Sequence, residues 1–163
     1  MLSFLSSDKP FQIGFLVEDL EACIHSYNNQ FGISGWQVYT YGPDNLNRMI
    51  YRGKNTAYSI HIGLNYIGAT RIELIQPLEG LTIFTEFIEK HGYGQHHLGI
   101  YVNNIKEAIT EAEAAGFIVI MEGGGHGLDG DGFFAYLNTE ETLGTTYELI
   151  ERPVRRRMPD MII

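Results

Sequence analysis

One cysteine in 163 residues, Cys23, leaves no pair for an intramolecular disulfide. Its place inside a helical pattern points to a buried, inert thiol rather than a nucleophile. Basic residues are scarce as well. Eleven lysines and arginines against twenty aspartates and glutamates give a net charge of -9, which argues against general nucleic-acid binding, because phosphate contacts need a basic surface. No stretch approaches the roughly 20 apolar residues of a membrane span. The opening MLSFLSSDKP has no basic region ahead of its short apolar piece, so no signal peptide is read and the cytoplasm is the expected location. Positive charge gathers at one place, Arg155 to Arg157, where a solvated tail or a contact to an acidic partner subunit is expected.

What remains is an ordinary globular composition, 44% hydrophobic and 19% charged, in a chain sized for one domain. Phe11 to Val17 reads as a buried strand, and Asp19 offers an N-cap to a helix reaching about Phe31, with Leu20, Ile24, Tyr27 and Phe31 at helical spacing. Trp36 to Tyr41 is a second strand, and Gly42 to Asn55, rich in Gly, Asn and Pro, is a connection or mobile loop. Tyr58 to Leu64 and Thr70 to Leu78 are further strands, the latter ended or placed near an edge by Pro77. A helix from about Thr82 to His91 crosses to the second half. There Gln95 to Asn103 is a strand, Asn104 with Glu107 starts a helix ending at Gly116, and Phe117 to Met121, Phe133 to Leu137 and Thr145 to Ile150 are strands. Aromatic side chains, Trp36 and Tyr136 among them, mostly fill the core, and some line an apolar pocket.

The order of elements repeats, and so do the residues. Setting QIGFLVEDLEACI against HLGIYVNNIKEAI matches Gln12 with His97, Gly14 with Gly99 and Val17 with Val102 at an offset of 85 residues. Setting RIELIQP against TYELIERP matches Glu73 with Glu148 at an offset of 75. Two copies of one supersecondary unit, about 11–79 and 95–153, then bury their apolar faces against each other within a single domain spanning 1–163.

This repeat turns scattered polar residues into two equivalent pairs: Gln12 with Glu73, and His97 with Glu148. Each glutamate interrupts an apolar strand, where an unpaired carboxylate would cost several kcal/mol. Their recurrence at one repeat position favours a shared cleft over two outward-facing glutamates. One imidazole nitrogen, two carboxylates and one amide oxygen suit a divalent metal of the Zn, Ni, Co or Mn kind. Strand parity puts His96 on the face opposite His97. His61 is read as a core or cross-strand residue. The loop GGGHGLDGDG, with His126, Asp129 and Asp131, lacks the calcium-hand spacing and reads as a flexible lid beside the cleft.

The stretches RIELIQPLEG and GQHHLGIYVNNIKEAI, with the set Gln, Glu, His, Glu, resemble the vicinal oxygen chelate superfamily. It includes glyoxalase I, methylmalonyl-CoA epimerase, extradiol dioxygenases and the bleomycin-resistance-type binding proteins. The resemblance runs from about Phe11 to Pro153. It implies an α+β fold of two βαβββ units around a cleft, a homodimer (domain-swapped or not), and metal ligands at Gln12, Glu73, His97 and Glu148. It further implies an isomerase, epimerase or lyase that removes a proton next to a carbonyl, on a small molecule with vicinal oxygens or a thioester. A metal-free binding or resistance protein is the alternative. Leu16 and Pro77 stand where glyoxalase I enzymes commonly hold glutathione with Arg and Asn, which argues against that substrate. Epimerases usually have His at the first ligand position, where this chain has Gln12, and the single histidine of the quartet sets the dioxygenases aside. Glu148 is the expected proton carrier and His97 a ligand only. Glu73 is the counterpart of Glu148, held ionised and tied down by Arg71 on the same strand face.

Overall fold

The computed structural model describes residues 2–3 and 11–163; apart from Leu2 and Ser3, the N-terminal stretch read above for a signal peptide lies outside them. Strand β1 (Phe11–Leu16) leads into α1 (Leu20–Phe31), β2 (Gln37–Tyr41), a hairpin of β3 (Arg48–Tyr51) and β4 (Lys54–Asn55), β5 (Ser59–Ile67) and β6 (Thr70–Glu79). Helix α2 (Ile83–His91) crosses to β7 (Gly94–Val102), α3 (Ile105–Ala114), β8 (Val119–Gly124), β9 (Phe133–Leu137), α4 (Glu140–Leu143), β10 (Thr146–Glu151) and β11 (Met161–Ile162). The result is two βαβββ units in an α+β fold, the first carrying the hairpin as an insertion. Among the described residues no helix is long and apolar enough to cross a membrane.

Local chemistry sets the helix ends. Asp19 accepts a hydrogen bond from the Ala22 amide at 2.9 Å, and Gly32, at φ 68°, closes α1 in the left-handed conformation that glycine adopts most cheaply. Thr82 and Thr85 form a reciprocal capping box on α2, and Asn104 accepts from the amides of Lys106 and Glu107 on α3. Beneath α1, Leu20, Ile24 and Trp36 pack on Ile72 and Leu74; beneath α3, Ile105, Ala108 and Ala112 pack on Ile100 and Leu149. Trp36 is fully buried with its indole N–H satisfied by the Ile33 carbonyl at 3.0 Å. Truncating such an aromatic costs about 3–5 kcal/mol.

All eleven strands form one curled mixed sheet in the order β11-β2-β5-β6-β1-β7-β10-β9-β8-β3-β4. The two units meet at its middle, where β1 and β7 run antiparallel; within each unit the first strand pairs in parallel with the last, β1 with β6 and β7 with β10. The registers reproduce both sequence offsets: Gly14 pairs Glu73 as Gly99 pairs Glu148, and Gln12 pairs Arg71 as His97 pairs Thr146.

Two expectations change. The loop expected over 42–55 contains the β3–β4 hairpin, turned by Arg52 and Gly53 at φ 47° and 75°, and it extends the second unit's sheet by pairing β3 with β8. Residues 123 and 124 of the glycine-rich loop belong to β8 and pair with β3 and β9. Pro77 does not end β6 but stands, as expected, where the strand runs along an edge. The pairing with β1 stops at Leu16 and Ile75, so at Pro77 the strand has β5 alone beside it and needs no second donor row.

Candidate metal centre

The pairing of β1 with β7 builds the centre. Gln12 lies opposite Gly99, and His97 lies opposite Gly14, so each unit's polar side chain faces a glycine of the other. A Cβ on Gly14 would fall inside the imidazole of His97; one on Gly99 would meet Ile150 Cδ1 at 2.7 Å, Gln12 Cβ at 2.9 Å and Glu148 Oε2 at 3.1 Å. The glycines matched by the repeat are therefore the space in which the side chains converge. Glu73 and Glu148 enter from the two last strands. Gln12 Nε2 donates to Glu73 Oε2 at 3.0 Å and to Glu148 Oε2 at 3.1 Å, and those same oxygens lie 3.3 and 3.2 Å from His97 Nε2. All four side chains are buried, His97 completely.

His97 Nε2 makes no hydrogen bond of acceptable direction despite this proximity. Donor atoms of Glu73, His97 and Glu148 all lie within 4.8 Å of one another. A buried nitrogen without a hydrogen bond, facing two carboxylates, is what a divalent cation satisfies, and the donor set suits one. Gln12 now presents its amide nitrogen to the carboxylates, so ligation by its oxygen requires a half-turn of the amide.

Burial disfavours charge on His97, yet the fields of Glu148 and Glu73 win and raise its pKa to about 9. Glu148 is raised by burial, opposed by His97. Tyr136 stands directly across from Glu148 on β9 and is held a neutral phenol, by burial first and then by the two carboxylates. The corresponding neighbour of Glu73 on β5 is Leu64, which has no such hydroxyl.

The pattern of sheet and cleft points to a family. The family described as the Glyoxalase/Bleomycin resistance protein/Dioxygenase superfamily, the vicinal oxygen chelate proteins, matches residues 11–136. The chain belongs to this superfamily. No curated protein sequence matches it. Among solved structures, this vicinal oxygen chelate chain is similar to the hypothetical protein BH1468 from Bacillus halodurans C-125, at 25% identity and a TM-score of 0.59 over 90% of this chain and 95% of that one. It is similar also to methylmalonyl-CoA epimerase from Mycobacterium tuberculosis, at 21% identity and a TM-score of 0.62 over 87% and 86% of the two chains. A single-substitution variant of Streptomyces coelicolor methylmalonyl-CoA epimerase, in complex with 2-nitronate-propionyl-CoA, shares the fold at 17% identity and a TM-score of 0.59, over 90% and 95%. Glu148 lies beyond the matched residues, so its place in the centre rests on the β7–β10 register.

Around the quartet, this superfamily chain differs from expectation in several places. His96 does not face away from His97: their Nδ1 atoms are 3.0 Å apart. The β1–β7 register slips between Gly14 and Phe15, which pair with His97 and Gln95, leaving His96 as a bulge that breaks strand alternation. Phe84, Phe87 and Tyr136 cage the His96 ring, and burial, then the charge on His97, lowers its pKa to about 2. Arg71 shares the cleft face with Glu73 but gives its Nη1 to the Tyr101 hydroxyl at 3.0 Å, and no ion pair with Glu73 forms among the described residues. His61 alternates with the cleft-lining Ile60 and Ile62 and so points to the opposite face.

The C-terminal arginines are not a free tail. Arg155 pairs with Asp129, while Arg156 and Arg157 border the cleft together with Arg71 and Arg152. The glycine-rich loop forms the adjoining wall through His126, whose pKa is lowered to about 4 by burial and then by Arg156 and Arg71. That loop is fastened: Asp131 accepts from the Val154 amide at 2.7 Å, Gly130 from Asn47 at 3.0 Å, and Gly127 bridges Arg156. Tyr39, Tyr41, Ile60, Ile62 and Phe134 supply the apolar lining of a half-open cavity of about 80 Å³. Sequence reasoning missed Arg152, Arg156 and Arg157 as cleft residues because they sit after the last repeated strand, where no internal copy marks them.

Proposed function

We propose that this chain is a metal-dependent isomerase, epimerase or lyase that removes a proton next to a carbonyl. Gln12, Glu73, His97 and Glu148 hold a divalent ion of the Zn, Ni, Co or Mn kind, and Glu148 carries the proton. The observation behind the reading is the buried Nε2 of His97, 3.2–3.3 Å from two carboxylate oxygens and without a hydrogen bond. A divalent ion held there supplies polarisation of the substrate's oxygens and neutralises the charge that develops on them.

The protein's own groups do the rest. The Glu148 carboxylate takes the proton, the C–H bonding pair moves to the adjacent carbonyl, and the carbonyl re-forms as a proton returns to carbon. Return from Glu148 to the neighbouring carbon, as the hydroxyl proton on the deprotonated carbon passes to the former carbonyl oxygen, gives isomerisation; delivery to the opposite face from a Glu73 that begins protonated gives epimerisation, and proton exchange with solvent then resets both carboxyls. Tyr136 supports the choice of Glu148, since its phenol stands beside that carboxylate as a neutral donor, and Leu64 offers Glu73 nothing equivalent. The aromatic and aliphatic lining suits the body of a substrate with vicinal oxygens or a thioester.

A second reading, a metal-free binding or resistance protein, is favoured by one observation: Gln12 already bridges both carboxylates, with a protonated His97 as their counter-ion. Metal analysis of protein purified without added ions separates the two. About one equivalent of metal, lost in His97→Ala, supports the enzyme. No metal at any stage, including after incubation with Zn, Ni, Co and Mn salts, overturns it. Turnover of a 2-oxo aldehyde, an acyl-CoA thioester or a hydroxy-ketone then assigns the substrate.

A further inference from the structure

A protein of net charge -9 would be expected to neutralise a buried arginine with one of its own carboxylates. In the cleft it does not. Arg71 is 7% exposed and lines the cavity, yet of its five guanidinium donors only Nη1 is given a partner, the Tyr101 hydroxyl. Arg152 lies on the face of the same tyrosine, 3.7 Å from the ring centroid, so Tyr101 orients both guanidiniums. Arg156 closes the group from the C-terminal strap. The Gly127–Arg156 bridge and the Leu128 amide to the Arg155 carbonyl at 3.0 Å hold that strap, and Asp129 draws Arg155 outward.

Among the described residues no carboxylate pairs with Arg71, Arg152 or Arg156. Arg156, depressed first by burial, is pushed down further by Arg71 and Arg152. Among the described residues the only acids lining the cleft, Glu73 and Glu148, are committed to the centre. Arg71 lies two residues along β6 from Glu73 on the same face, about 7 Å at strand spacing. A second substrate group can therefore reach it while the reacting oxygens stay at the quartet.

From this arrangement we propose that the substrate carries an anionic group, carboxylate or phosphate, a few bonds from its reacting oxygens, held by Arg71 from the sheet and by Arg152 and Arg156 from the strap. Planar guanidiniums match either anion through paired hydrogen bonds. The proposal rests on the cleft being the substrate site, as argued above.

Its test is a set of matched probes titrated by calorimetry into metal-loaded protein. 2-Oxoglutarate and 2-oxopentanoate present the same vicinal oxygens on chains of equal length and differ by a distal carboxylate; 3-phosphonopyruvate offers a phosphonate instead. The wild type should bind one of the charged probes about 10- to 100-fold more tightly than 2-oxopentanoate, the span of a charge-assisted hydrogen bond. The better of the two identifies carboxylate or phosphate. Arg71→Met should bring the ratio close to one with metal content kept. Arg156→Met, on the exposed strap, should lower the ratio several-fold even if the buried variant does not fold. Failure of both charged probes to bind more tightly than 2-oxopentanoate, or an undiminished ratio in Arg156→Met together with any folded Arg71→Met, overturns the proposal. Metal content is read separately. A protein that takes up no metal yet prefers the charged probe sinks the proposed chemistry and keeps the anion site.

Discussion

Substituting Gly14 by alanine isolates the contact on which the centre is built. The added methyl would occupy the volume of the His97 ring, overlapping Cε1, Nε2 and Nδ1, so the imidazole has to move. Overpacking of a buried site costs about 1–3 kcal/mol. Against this, alanine in a strand recovers roughly 0.5–1 kcal/mol of backbone entropy relative to glycine. The net expectation is a lower melting temperature, by roughly 2–8 °C for a chain of this size, together with loss of metal. A double-mutant cycle makes the reasoning sharp. With His97→Ala already in place the obstacle is gone, and Gly14→Ala should become neutral or slightly stabilising, giving a coupling of at least about 1 kcal/mol between the two sites. Thermal unfolding of the four proteins in EDTA, with metal content measured beforehand, checks it. Additive effects, or a Gly14→Ala protein with wild-type stability and full metal, would show that the ring and the glycine do not share that space.

Three further outcomes are expected. Glu148→Gln should lower turnover by about 10² to 10⁴, the span for losing a general base; near-normal turnover beside an inactive, metal-loaded Glu73→Gln would exchange the two roles. The metal-free protein should lose stability as pH falls below about 6.5, because His96 and His126, depressed to about 2 and 4, are held neutral when folded and take up protons on unfolding, each at up to about 1.4 kcal/mol per pH unit. His97, raised to about 9, acts oppositely: its contribution is complete below about 6.5 and is lost as pH rises through 9. Urea denaturation across pH 4–10 reads both limbs, and His96→Phe should flatten the acid one. Deleting residues 160–163 removes the hydrogen bonds of Ile163 to Gly35 and Trp36 and of Asp160 to Val38 and Thr40, so light scattering on warming should show earlier aggregation than in the full chain.

The repeat carried most of what the sequence could say. Because β1 and β7 are equivalent and antiparallel, matching Gln12 to His97 and Gly14 to Gly99 was enough to bring two polar groups and two glycines to one point, and the registers agree with the offsets of 85 and 75 residues. Features that break the internal copy were illegible. The bulge at His96 depends on a slip in pairing with β1, which no local pattern announces, and it undoes strand parity. The β3–β4 hairpin turns on Arg52-Gly53, where arginine adopts a positive φ without the Asn or Asp that would signal such a turn. Arg156 and Arg157 read as tail, and Arg152 went unassigned to the cleft, because their meaning lies in what they face and not in their own neighbours.

The sheet's two outer boundaries are crossed over: the hairpin from the first half finishes the second half's border at β8, and β11, from the very end, finishes the first half's border at β2. Neither half thus supplies the whole border of its own part of the sheet, although each contains a full copy of the repeat. A ribosome that has released only the first unit has made a β2 border whose covering strand is not yet made, with Val38 waiting for Met161, 161 − 38 = 123 residues further along the chain. Closure of that border is among the most non-local steps available to the chain, and such pairings form late and slowly. Synthesised as separate fragments, the halves should complete one another in trans through the same two crossings, a behaviour that simple duplication of a unit would not by itself confer.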